Sequence, residues 1–192
     1  MFASIRKLAT ATGVVAMLAL STSAQAAQIN GSLPLSGFSV TQNGADLGVS
    51  TLINALSTVV SSPGLGDYSP VPVLTNFGPH TIDLTNLLSF SLSNATYGSF
   101  ATTSGVIVQQ TKAFLDVFLL GVFTPVAAGL PGLDPTPTSL RISINQSGQS
   151  LSEAITMNSP PVSIPEPASA LLLGIGLAGA GLSLRRRQRA RA

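Results

Sequence analysis

The sequence predicts an all-β fold, an antiparallel β-sandwich or jelly-roll-like core with one apolar helix at each end of the chain. Three observations predict it. Between Ala27 and Ser163, 34 of the 137 residues are Ser or Thr, glycine and proline recur, and helix formers are scarce. That composition suits strands joined by turns. Eight or so short apolar segments, separated by turn residues, give the spacing of a sandwich or jelly roll. Outside this region the two ends each hold an uncharged apolar run beside basic residues.

The N-terminal run has three parts. Arg6 and Lys7 form a positive start, Leu8 to Leu20 an apolar stretch, and Ala24-Gln25-Ala26 supplies small residues at two fixed positions. Together these make a secretory signal peptide over residues 1–26, with Ala24 and Ala26 as the recognition residues of signal peptidase and Ala27 as the new N-terminus. A retained anchor is the alternative, and the short apolar run and the Ala-x-Ala site oppose it.

The expected β domain spans residues 27–160. Its first candidate strands are Gly37 to Val40, Val49 to Asn54, Thr81 to Leu84, Leu88 to Ser93, Ser99 to Thr103 and Gly105 to Thr111. Lys112 to Pro125, "KAFLDVFLLGVFTP", is apolar on both faces, which fits a central strand covered on both sides. Periodicity alone leaves a buried helix open there, while the Phe, Val and Gly content favours the strand. "TSLRISINQSGQSLSEAITMN" alternates: Leu140, Ile142 and Ile144 share a face, Gln146 to Gln149 turns the chain, and Leu151, Ile155 and Met157 share a face interrupted by Glu153. This predicts a β-hairpin. Ser61 to Pro72 and Ala127 to Thr138 read as loops from their Gly and Pro content.

Residues 161–192 form the third unit. Pro165 and Pro167 hold their neighbours extended, presenting Glu166 between them in a linker over 161–167. Ala168 to Leu184 carries no charge across 17 residues. As a transmembrane helix it measures about 25 Å, against a hydrocarbon core of about 30 Å. Arg185, Arg186, Arg187, Arg189 and Arg191 follow as a stop-transfer cluster in the tail 185–192. Basic flanks stay on the cytoplasmic side, so the β domain would lie beyond the inner membrane, with a single pass and a cytoplasmic C-terminus.

Charge and composition narrow the chemistry. The ends hold seven of the nine basic residues, leaving Lys112 and Arg141 against six acids between Ala27 and Ser163, a formal charge of −4. Such a domain does not bind nucleic acid, which needs a basic face. The chain has no cysteine and one histidine, His80, so neither thiolate chemistry nor a zinc site is expected. His80 in "FGPHTIDL" reads as a loop histidine, because no nucleophile elbow accompanies it. Asp46, Asp67, Asp83 and Asp134 read as turn formers rather than calcium ligands. Asp116 sits inside the most apolar strand and needs a partner, either Arg141 or Lys112, or a place at the sheet edge. With no Trp and only Tyr68 and Tyr97, the chain lacks the usual stacking surface for sugars. No catalytic residue, metal site or cofactor is expected.

Pro165-Glu166-Pro167, the apolar helix after it and the terminal arginines occur in the order and spacing of a PEP-CTERM sorting signal, which this tail resembles over about 30 residues. Ile164 stands where valine is common in that family. The same short module is also labelled an ice-binding protein C-terminal domain, a label that concerns the tail alone. The resemblance implies a Gram-negative host and an exosortase, a multi-span membrane processing enzyme, as the partner. It also implies a final place at the cell surface or in the exopolysaccharide matrix of a biofilm. "FLDVFLLGVFTP" followed by "DPTPTSLRISINQSG" is similar to the core shared by one group of small PEP-CTERM proteins, which brings no activity with it. The expectation is an exported, non-enzymatic structural or adhesive protein. The alternatives are a hydrolase acting on matrix polymers and a binding module that stays anchored in the membrane.

Overall fold

The computed structural model describes residues 27–162. Thirteen strands form among them: β1 Ala27–Gln28, β2 Gly31–Phe38, β3 Thr41–Gln42, β4 Leu52–Ala55, β5 Ser57–Val60, β6 Leu65–Gly66, β7 His80–Asp83, β8 Ser91–Asn94, β9 Gly98–Gln110, β10 Phe114–Pro125, β11 Leu133–Asp134, β12 Thr136–Ser147 and β13 Ser150–Ser159. A 3-10 turn at Leu87–Ser89 precedes β8. The fold is all-β. Apart from the short parallel pair β1–β11, every pairing is antiparallel.

The main sheet runs β5-β2-β13-β12-β10-β9-β8, with β6 beside the start of β2, and a smaller sheet runs β3-β4-β7. The two are continuous. β2 with β5 and β3 with β4 keep one register across bends at Ser39 and Leu56. The β4–β7 register likewise persists to the Val59–Asn76 bridge. Phe77 N donates to Thr58 O at 2.7 Å on one side, and Ser93 N donates to Phe77 O at 3.3 Å on the other. Backbone hydrogen bonds therefore pass from β5 through Thr75–Gly78 to β8, joining the two margins of the curled sheet. Exposed margins would template pairing with other chains, and this contact removes much of them. The strands follow one another as a meander, and among the described residues the crossed-over connections of a jelly roll do not occur.

Local sequence explains the elements. β10 is the central strand expected, with Leu115, Val117, Leu119 and Phe123 in the core and Asp116 and Phe118 buried on the other face. β12 and β13 make the expected hairpin, and Ser147 pairs with Ser150 across Gly148-Gln149. Gly148 has φ +60°, which a type II′ turn needs at its first central position. β9 joins two segments that the sequence separates at Ser104: it runs through as one strand, with irregularities opposite Asp116/Val117 and Leu120/Gly121. β2 starts earlier than expected, because Pro34 is tolerated inside it. The Pro34 carbonyl accepts from Ser61 N on the β5 side, so the missing N–H faces the end of β5 and leaves the β13 ladder whole. The inward residues of every wall meet in one core that includes Leu33, Ile53, Ile82, Phe100, Leu119, Ile142 and Ile155.

The signal peptide with Ala24 and Ala26, the motif Pro165, Glu166 and Pro167, the apolar stretch 168–184 and the arginines at 185–187, 189 and 191 lie outside the described residues. Among the described residues, no helix is long and apolar enough to cross a membrane.

Candidate functional site

One row of the curled sheet builds the most unusual polar group in the domain. Glu153 of β13 pairs directly with Gly37 of β2, and Gly37 pairs directly with Thr58 of β5. Because Gly37 has no side chain, the Glu153 carboxylate crosses over it toward Thr58. A Cβ at Gly37 would lie 1.9 Å from Glu153 Oε2. From β7, His80 reaches the same point: its Nε2 is 2.9 Å from Glu153 Oε1 and its Nδ1 is 2.7 Å from Thr58 Oγ1. His80 and Glu153 stand three strands apart, about 14 Å along a flat sheet. Only a curled sheet brings their side chains together.

Both side chains are fully buried. Phe90 closes the site edge-on, its ring centroid 5.2 Å from the imidazole. With a carboxylate at Glu153, Nε2–H donates to Oε1. The Thr58 hydroxyl then serves Nδ1 in either state, donating to a lone pair or accepting from an N–H. Glu153 Oε2 has no hydrogen-bond partner among the described residues and packs against Gly37.

His80 is thus a buried strand residue, correcting its reading as a loop histidine. The error came from Gly78-Pro79, which look like a turn, whereas the Gly78 carbonyl accepts from Thr58 N of β5 and the chain runs straight into β7. A usable signal was present: His80 shares a face with Ile82, Glu153 shares one with Ile155 and Met157, and each is the single residue of its type between Ala27 and Ser163. Hydroxyl, imidazole and carboxylate occur in the order that nucleophilic catalysis uses. Here Thr58 is 0% exposed and its backbone is held on both sides in the ladder, so a substrate has no approach to the hydroxyl. The arrangement ties β5, β7 and β13 together across the interior.

A second polar cluster lies where the described chain ends. Tyr68 Oη and Ser159 Oγ are 2.8 Å apart, Ser159 also contacts the Thr138 hydroxyl, and Thr138 donates to Thr136 O at 3.0 Å. Burial pushes the Tyr68 hydroxyl up to about 12, against smaller opposing effects of Ser159 and Thr138. Its ring also meets Phe123 edge-on at 5.5 Å.

Asp116 finds the partner expected of it. Arg141 of β12 donates to both of its oxygens, at 3.1 Å and 2.7 Å, on the outer face of the sheet. The carboxylate is buried, while the guanidinium remains half exposed. Asp46 accepts from Gly48 N, and Asp83 from both Thr85 N and the Thr85 hydroxyl, as turn-forming acids do. Asp67 instead accepts from Asn30 N, far away in sequence, and Asp134 lies in β11. The two Thr85 donors, hydroxyl first, hold the Asp83 carboxyl below its ordinary range. No group of three or more His, Cys, Asp or Glu residues suited to a metal occurs among the described residues.

Compared with known protein families, residues 163–187 match the PEP-CTERM protein-sorting motif. The chain therefore carries this motif, which implies export, membrane-associated sorting by an exosortase and delivery to the cell surface. No curated protein and no solved structure matches the chain.

Proposed function

We propose that this chain is sorting cargo with a non-catalytic role, structural or adhesive, at the cell surface or in the exopolysaccharide matrix. Signal peptidase removes residues 1–26 after Ala26. The stretch 168–184 enters the inner membrane and the five arginines hold the C-terminus in the cytoplasm. An exosortase-like enzyme then reads Pro165-Glu166-Pro167 and releases the β domain outward. The observation that carries this reading is the motif match at residues 163–187.

The domain supports it in two ways. Its polar interior is closed: the histidine–glutamate pair that would serve a hydrolase is buried between walls of the sheet. Its surface between the ends carries few charges and many hydroxyls, and its net charge is negative. In this reading the opposed walls of the curled sheet pack as a flattened, sandwich-like domain on one core. The hydroxyls of Ser and Thr are then the groups presented to a hydrated polymer.

The test replaces Pro165, Glu166 and Pro167 with alanine in the native host and follows processing and location. The proposal expects an unprocessed, membrane-retained protein. Unchanged processing and location would refute the assignment of the motif.

A further inference from the structure

We infer that one end of the β domain is a lipid-contacting surface, and that Leu65, Val73 and Leu74 rest on the bilayer while the tail is inserted. The inference rests on the proposed insertion of residues 168–184. Because the strands form a meander, every second connection lies at the same end of the sheet. One end holds the loops 61–74, 95–97 and 126–135, together with the exit of the chain after Ser159. The other holds the loops 43–51, 84–90 and 111–113 and the turn at 148–149.

Exposed apolar side chains divide unevenly between these ends. Leu65, Val73, Leu74 and Val162 are 66%, 43%, 74% and 49% exposed at the exit end, whereas the opposite end has Val49 and Leu88. Leu65 is also close to the exit. It pairs with Ser32, and Ser32 pairs with Asn158, so two strand spacings, about 10 Å, separate Leu65 from the strand that leads out. The Tyr68–Ser159 contact fastens the 61–74 loop to that same strand. Leu74 is held with φ +70° by the bond from its N–H to Val60 O, a conformation that leucine rarely adopts, and its side chain points to solvent.

Chain length sets the distance to the membrane. Five residues, 163–167, separate Val162 from Ala168. The six steps from Val162 to Ala168 span at most about 20 Å fully extended, and the polar layer of a bilayer takes up about 5–7 Å of that. The exit end therefore stays within about 15 Å of the headgroups whenever the tail is inserted, which keeps an apolar loop near the interface. The loops of this end carry Asp67 and Asp134 and no Lys or Arg, so contact is apolar rather than electrostatic.

The chain contains no tryptophan, so single tryptophans report position cleanly. The mature chain, residues 27–192, is reconstituted into phosphatidylcholine vesicles with brominated acyl chains, as Leu74→Trp, Leu65→Trp, Leu56→Trp and Leu173→Trp variants. Leu173 reports tail insertion, and Leu56, an exposed residue at a bend in the wall, reports the background. The expected result is quenching at 173, blue-shifted and quenched emission at 65 and 74, and neither effect at 56. Quenching at 173 with 65 and 74 behaving like 56 overturns the inference and leaves insertion standing. Quenching at 56 as strong as at 74 overturns it too. An unquenched Leu173→Trp overturns the insertion itself, and the loop contact with it.

Discussion

Replacing His80 with alanine isolates the energy stored in the buried pair. The imidazole gives Glu153 Oε1 its hydrogen bond, and Oε2 has no partner among the described residues. His80→Ala thus leaves the fully buried Glu153 carboxyl group with neither oxygen bonded among the described residues. Breaking a buried pair in this way costs about 3–5 kcal/mol, a large share of the 5–15 kcal/mol typical of a domain. With a urea slope of about 2 kcal/mol per M, a loss of about 4 kcal/mol lowers the unfolding midpoint by about 2 M. Urea titration of the full chain in detergent, followed by far-ultraviolet circular dichroism, measures this. The double variant His80→Leu/Glu153→Met removes both polar groups at similar volume and is expected to recover most of the loss, because apolar replacement of a buried pair is near neutral or stabilising. Two results would show that the pair is not a buried, mutually dependent unit: a cost for His80→Ala below about 1 kcal/mol, the range of an exposed pair, or a double variant as unstable as the sum of the singles.

Two further predictions concern the same interior. Gly37→Ala places a methyl group 1.9 Å from Glu153 Oε2 and is expected to cost about 1–3 kcal/mol. The same substitution in a Glu153→Ala background costs less, and a double-mutant cycle by urea unfolding reads the difference. The hydroxyl of Tyr68, raised to about 12 in the fold, gives stability that is complete below its unfolded value near 10 and falls as pH rises through 12. The two-unit gap corresponds to about 2–3 kcal/mol, and comparing alkaline unfolding of the wild-type chain with Tyr68→Phe, in which this step is absent, checks it.

Strand β10 and the β12–β13 hairpin were legible because their apolar patterns are long enough to show a face and their turn residues are distinctive. Asp116 was legible as well, since a lone acid in an apolar run demands a cation and Arg141 was one of two in the domain. β5 was missed. "STVV" is four residues long, follows the bend at Leu56, and becomes a strand through pairing with β2 and Thr75–Gly78 rather than through its own pattern. Pro34 hid the first half of β2 for a related reason: whether a proline breaks a ladder depends on which side its nitrogen faces, and that is a property of the sheet. The Thr58–His80–Glu153 group depends on register and curl together. Strand phase could place His80 and Glu153 inward, but only the row through Gly37 shows that they meet.

Whether the C-terminal motif is read and removed is decided by the end of the mature protein. Mass spectrometry of the chain recovered from the surface or matrix of its native host defines its C-terminus. The expected product lacks Arg185 to Ala192. A surface-located protein that still ends in the intact arginine tail would contradict that removal.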